Sequence, residues 1–105
     1  MGKESRENHE VNRDVTVGQL KKAGFKEKDT YWSLNKWLID DYVKLLIMIA
    51  KDDLYCVEHV IDVSANTYYA PFYNPMFRIR NKVCEKVEEE YERVVEKLKK
   101  QGVFT

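Results

Sequence analysis

The sequence predicts an α+β fold: a small antiparallel sheet packed against a long C-terminal helix, with one or two short N-terminal helices. Three observations carry this expectation. An apolar run at 43–50 is followed by the polar interruption Lys51-Asp52-Asp53. Beyond it, over 54–63, Tyr55, Val57, His59, Ile61 and Val63 alternate with Cys56, Glu58 and Asp62, and alternation of this kind marks a half-buried strand. From 75 to 101, apolar residues recur at helical spacing behind an Asn-Pro start and ahead of a glycine.

Residues 1–14 carry Lys3, Glu4, Arg6, Glu7, Glu10, Arg13 and Asp14 with Val11 as the one aliphatic residue after Met1. So little apolar surface does not offset the entropy of ordering, and the segment reads as a flexible charged tail ahead of one domain over 15–105. Thr16 caps a short helix through Leu20 and Ala23, and Gly24 supplies its left-handed stop.

The stretch 29–50 satisfies two periods. Leu34, Trp37, Leu38 and Tyr42 follow helical spacing, whereas Val43, Ile47 and Ile49 are β-branched and suit a buried strand. A strand at 54–63 needs a neighbour, which favours a hairpin of 43–50 with 54–63 and leaves a helix over 33–41. The aromatic segment that follows is punctuated by Pro71 and Pro75, which forbid a regular central strand.

Asn74 and Pro75 read as the cap and first residue of the long helix. Ile79, Val83, Val87, Tyr91, Val94, Val95 and Leu98 form its apolar stripe, Glu85, Glu88, Glu89, Glu92 and Glu96 face water, and Gly102 ends it. At 1.5 Å per residue such a helix is about 40 Å long, against a domain diameter of about 33 Å, so one end is expected to protrude or to meet another subunit.

Composition narrows the function. Lys and Arg (18) equal Asp and Glu (18), so no excess cation is available for general nucleic-acid binding. The polar start lacks the apolar stretch of a secretory signal, and the longest apolar run, 45–50, falls far short of the roughly 20 residues that cross a bilayer. These features predict a cytoplasmic protein without membrane contact. Two cysteines, Cys56 and Cys84, do not make a disulfide framework and are expected to be reduced and partly buried. Cys56 and His59 stand three apart, which on a strand points them to opposite faces, so no metal site and no Cys-His nucleophilic pair is expected. His59 reads as a core-facing histidine. No motif implies a cofactor.

The segment 68–80 carries the most information. Tyr68, Tyr69, Phe72 and Tyr73 lead through Asn74 into a helix start bearing Arg78 and Arg80. These aromatics equally suit covering the sheet edge and filling core, the commoner use of aromatic residues in small domains; as contact residues, aromatic and arginine side chains are enriched at binding hot spots, and Trp32, Trp37 and Met76 are further candidate anchors. The leading expectation is therefore a non-enzymatic binding or regulatory module acting through protein–protein contacts, as a homo-oligomer, with this segment as its surface. The alternative is a binder of a nucleotide or other anion, held by the helix N-terminus, Arg78 and Arg80. A small enzyme using Cys56 or His59 is the third reading.

Overall fold

A computed structural model describes residues 9–74, 76 and 82–105. The first helix, α1 (Val17–Ala23), starts on a reciprocal cap. The Thr16 hydroxyl accepts the Gln19 backbone N–H at 3.1 Å, and Gln19 Oε1 accepts the Thr16 N–H at 2.8 Å. Gly24, at φ 104°, closes the helix in the left-handed region that a Cβ would disfavour.

Five strands follow: β1 (Lys26–Glu27), β2 (Tyr31–Ile39), β3 (Val43–Ala50), β4 (Cys56–Asp62) and β5 (Thr67–Tyr68). They form one antiparallel sheet in sequential order. The expected hairpin of 43–50 with 54–63 is β3 and β4, registered from Val43↔Asp62 to Ile49↔Cys56.

The helix expected over 33–41 is instead β2. Its helical spacing is real, but β3 offers an edge along its whole length, from Tyr31↔Ala50 to Ile39↔Val43. Ladder bonds and the burial of Trp32, Leu34 and Leu38 outweigh a weak local preference. The chain turns between these strands with Asp41 at φ 62°, a conformation that aspartate tolerates better than most residues. The two N-terminal helices allowed by the sequence thus reduce to one.

A single turn of helix, α2 (Ala70–Tyr73), leads toward α3 (Lys82–Lys100). The expected start of the long helix at Pro75, together with Arg78 and Arg80, lies outside the described residues. Over its 19 described residues α3 is about 28 Å long. Cys84, Val87, Tyr91, Val95 and Leu98 are its buried line. Val83, expected in that stripe, is 42% exposed, and Cys84 takes the inward position one residue on, its thiol donating to the Pro71 carbonyl at 3.4 Å. Gly102, at φ 81°, ends the helix as expected, with the Val103 N–H reaching back to the Leu98 carbonyl.

The core lies between α3 and one face of the sheet. Val43, Leu45, Ile47 and Ile49 of β3 are fully buried there, joined by Trp32, Leu34, Leu38 and Val60 from the flanking strands and by Leu20 and Ala23 of α1.

The reading of 1–14 as a tail does not hold for its described part. Val11 is 3% exposed and bridges Phe104, and the Asn12 N–H donates to the Val103 carbonyl at 2.8 Å. A lone valine among polar residues carries no periodic signal, and its place in the core depends on a C-terminal partner more than 90 positions away.

Candidate functional site

Among the described residues, the face of the sheet turned away from α3 carries an unusual share of apolar side chains. Because side chains alternate along a strand, the registers place three cross-strand rows on it: Ser33–Met48–Val57, Asn35–Leu46–His59, and Trp37–Lys44–Ile61–Tyr68. Tyr31 and Tyr55 extend it at one end. An antiparallel sheet with one wet face normally shows polar residues on that face. Here aromatic and aliphatic side chains outnumber the polar Ser33, Asn35, Lys44 and His59, and β3 is apolar on both sides from Leu45 to Ala50. Among the described residues, the helices contribute their buried side chains to the core on the other face.

Trp37 is 46% exposed, Tyr68 50%, Tyr55 62% and Tyr31 36%, while Leu46, Met48, Val57 and Ile61 are half-buried by their neighbours. At the Tyr31/Tyr55 end the surface dips into an open cleft of about 580 Å³. Met48, Ala50 and Val57 line it together with both tyrosines, and Asp29, Asp52 and Lys51 contribute the charged groups. The Lys51 ammonium is paired with Glu27 at 2.7 Å, whose carboxyl it holds below the usual carboxylate range, so Asp29 and Asp52 set the sign of the rim.

The sequence assigned the wrong set of β4 side chains to the interior. Cys56, Glu58 and Val60 face the core, and Val57, His59 and Ile61 face outward. Glu58 is accommodated because its carboxylate is fully engaged. Tyr91 donates to Oε1 at 2.6 Å, the His9 backbone N–H donates to Oε2 at 2.7 Å, and His9 Nδ1 stands 2.9 Å from Oε2. The His9 ring also stacks on Phe104 at 5.2 Å. His59 is accordingly not a core residue. It lies on the outer face, 5.2 Å from the Tyr68 ring.

The expected site at 68–80 is divided by the fold. Tyr68 sits on the outer sheet face. Tyr69 and Phe72 are 3% and 1% exposed, Tyr69 packed edge-on to Tyr42 and Phe72 wedged between Tyr73 and Tyr91. Their rings fill the core beside α3, which removes both from direct contact with any partner. Tyr73 accepts the Val60 N–H on its hydroxyl at 2.8 Å, closing part of the β4 edge that the two-residue β5 leaves bare. Asn74 Oδ1 accepts the Met76 N–H at 3.0 Å, and Met76 is 79% exposed. Trp32, another candidate anchor, is buried on the core face, with Lys51 Nζ 5.8 Å from its ring. Of the candidate anchors, the structure brings Trp37 and Tyr68 onto one surface.

Cys56 and His59 do point to opposite faces. Both cysteines are buried thiols outside any disulfide. Burial first, and then the neighbouring Glu58 carboxylate, push the Cys56 thiol up to about 12, and a thiol held protonated is a poor nucleophile. In the unfolded chain a cysteine ionises near 8.5, so above that pH the unfolded state has released a proton that the native state keeps. This contribution to stability is complete below about pH 8.5 and is lost as pH rises toward the folded value, at about 1.4 kcal/mol per unit. Urea melts of the wild type and Cys56→Ala across this range should show the wild type losing the extra stability; parallel pH curves for the two proteins would disprove the assignment.

No helix among the described residues is long and apolar enough to cross a membrane. Comparison of the chain with protein-family models, curated proteins and solved structures yields no match.

Proposed function

We propose that this chain is a binding module that works through protein–protein contact, and that its contact surface is the outer face of the sheet. The observation that carries the reading is the set of apolar side chains on this face, Tyr31, Tyr55, Met48, Leu46, Val57 and Ile61, with Trp37 beside Lys44 at the far end. Monomeric proteins rarely leave contiguous apolar patches larger than a few hundred Å² in water, and larger ones mark interaction sites. Tryptophan, tyrosine and methionine, the types enriched at interface centres, supply most of this patch. The segment 68–80 contributes to it through Tyr68.

A photo-crosslinking amino acid at position 46, in the middle of the face, tests the proposal against a control at position 89 on the solvent side of α3. Irradiation in cell lysate should give protein adducts from position 46 in clear excess over position 89, because the crosslinker reacts with whatever lies against the face that carries it. Equal yields from the two positions would overturn the assignment of the face. The mass of each adduct distinguishes a second copy of the chain from another protein.

A further inference from the structure

We infer that the occupant of the outer sheet face is a second copy of this chain, packed about a two-fold axis that crosses the strands and places Trp37 of each copy in the Tyr31/Tyr55 cleft of the other. This rests on the reading of that face as a protein contact surface and goes further by naming what covers it.

The face carries a knob and a hole at opposite ends. Trp37 protrudes at one end of β2, directly paired with Lys44 of β3. Tyr31 begins the same strand at the other end and forms a wall of the cleft. Six residues at about 3.3 Å each separate them by about 20 Å. A two-fold axis running across the strands reverses strand direction and keeps strand order, so each β2 lies over the other β2 with its ends exchanged. Trp37 then meets the cleft, and both copies make the same contact, as an isologous interface requires.

Charge follows the same exchange. Lys44 lies beside the knob, and Asp29 and Asp52 lie on the rim of the hole. The operation that inserts Trp37 therefore brings a cation toward two carboxylates. At the middle of the face, Leu46 of each copy meets Met48 of the other and Val57 meets His59, and the chain's balance of 18 cationic and 18 acidic residues sets up no net repulsion between copies.

The area is of the required order. The three full-length strands, about 26 Å long and about 4.8 Å apart, give a flat footprint on the order of 400 Å², and side-chain relief raises the accessible area toward the roughly 800 Å² per partner of a standard interface. Two sheets stacked face to face about 10 Å apart bury such surfaces as a sandwich core.

Analytical ultracentrifugation of the purified full chain tests this. Wild type should sediment at twice the 12.5 kDa chain mass at about 100 μM, a concentration at which a micromolar dimer is nearly complete. Trp37→Asp should weaken the dimer by at least about 100-fold, the loss expected of an aromatic anchor seated in a pocket on each side of a two-fold interface, with the circular dichroism of the native fold. Lys44→Glu should weaken it by about tenfold, and adding Asp52→Lys to Lys44→Glu should restore most of the affinity, because the charge pair is re-formed with its signs exchanged. A wild-type chain that stays monomeric at about 100 μM, or a dimer indifferent to Trp37→Asp and to the Lys44/Asp52 exchange, would overturn the inference. In the first of these cases adducts to other proteins from position 46 would leave the contact-surface reading standing, and their absence would remove both.

Discussion

Replacing Phe72 with alanine should destabilise the protein by about 3 to 5 kcal/mol, the range for removing a fully buried aromatic ring and leaving its cavity. The ring is 1% exposed and packs edge-on against Tyr73 at 5.2 Å and Tyr91 at 4.9 Å. It joins α2 to α3 and holds the connection between sheet and helix in place. Domains of this kind are stable by about 5 to 15 kcal/mol in total, so the loss is a large share of the whole. Phe72→Leu keeps most of the volume and should fall well below the alanine value. Tyr68→Ala, four positions earlier but half in solvent on the outer face, should stay within about 1 kcal/mol of wild type. Urea denaturation of the three variants settles the point. Were Phe72→Ala and Tyr68→Ala equally well tolerated, Phe72 would not be a core residue, and the division of the 68–80 segment by the fold would be wrong.

Glu58→Ala is expected to destabilise by about 2 to 4 kcal/mol, because it removes the buried acceptor shared by the Tyr91 hydroxyl and the His9 backbone N–H and leaves a cavity beside them. The Tyr91 hydroxyl and the His9 backbone N–H both end on this carboxylate, whose side chain is only 6% exposed. Glu58→Gln should lose about half as much, since an amide oxygen can accept from one of the two donors while its NH₂ group confronts the other. The two changes also have a local signature. The contact with Glu58 ties the N-terminal segment to β4, so hydrogen-exchange protection at Asn12, whose N–H is bonded to Val103 at 2.8 Å, should fall further than protection in β3. A Glu58→Ala protein with wild-type urea midpoint and unchanged exchange at Asn12 would show that the carboxylate contributes nothing to the fold.

The proposed dimer gives the β3 sequence a purpose that the monomer fold does not supply. A strand flanked on both sides in an antiparallel sheet needs one apolar face toward α3. Leu46, Met48 and Ala50 add a second, on the side away from the helix. In a face-to-face sandwich both faces are interior, and an uninterrupted apolar run is what such a strand requires. At the β4 edge, β5 pairs Ile61 and Asp62 and the Tyr73 hydroxyl takes the Val60 N–H, so that end of the edge is already bonded within the chain.

Local signals were sufficient for several elements. Thr16 and Gly24 bound α1, the polar turn at 51–53 separates β3 from β4, and the period of 83–98 together with Gly102 identifies α3 and its end. Each depends on residues a few positions apart, where capping, turn formation and helical spacing act. Tertiary contact decided the rest. Strand β2 forms because β3 offers it an edge, against a helical period of its own. Val11 is interior because Phe104 and Val103 receive it. Alternation in β4 revealed a strand, but not which set of its side chains faces α3. That choice rests on Tyr91, 33 positions away, and His9, 49 positions away, which together make the burial of Glu58 tolerable. With Glu58 turned inward, Val57, His59 and Ile61 must turn outward, and the apolar face proposed as the contact surface follows from that one buried carboxylate. A strand's own sequence fixes its period of two, whereas its orientation is set by the free energy of groups brought to it from elsewhere in the chain.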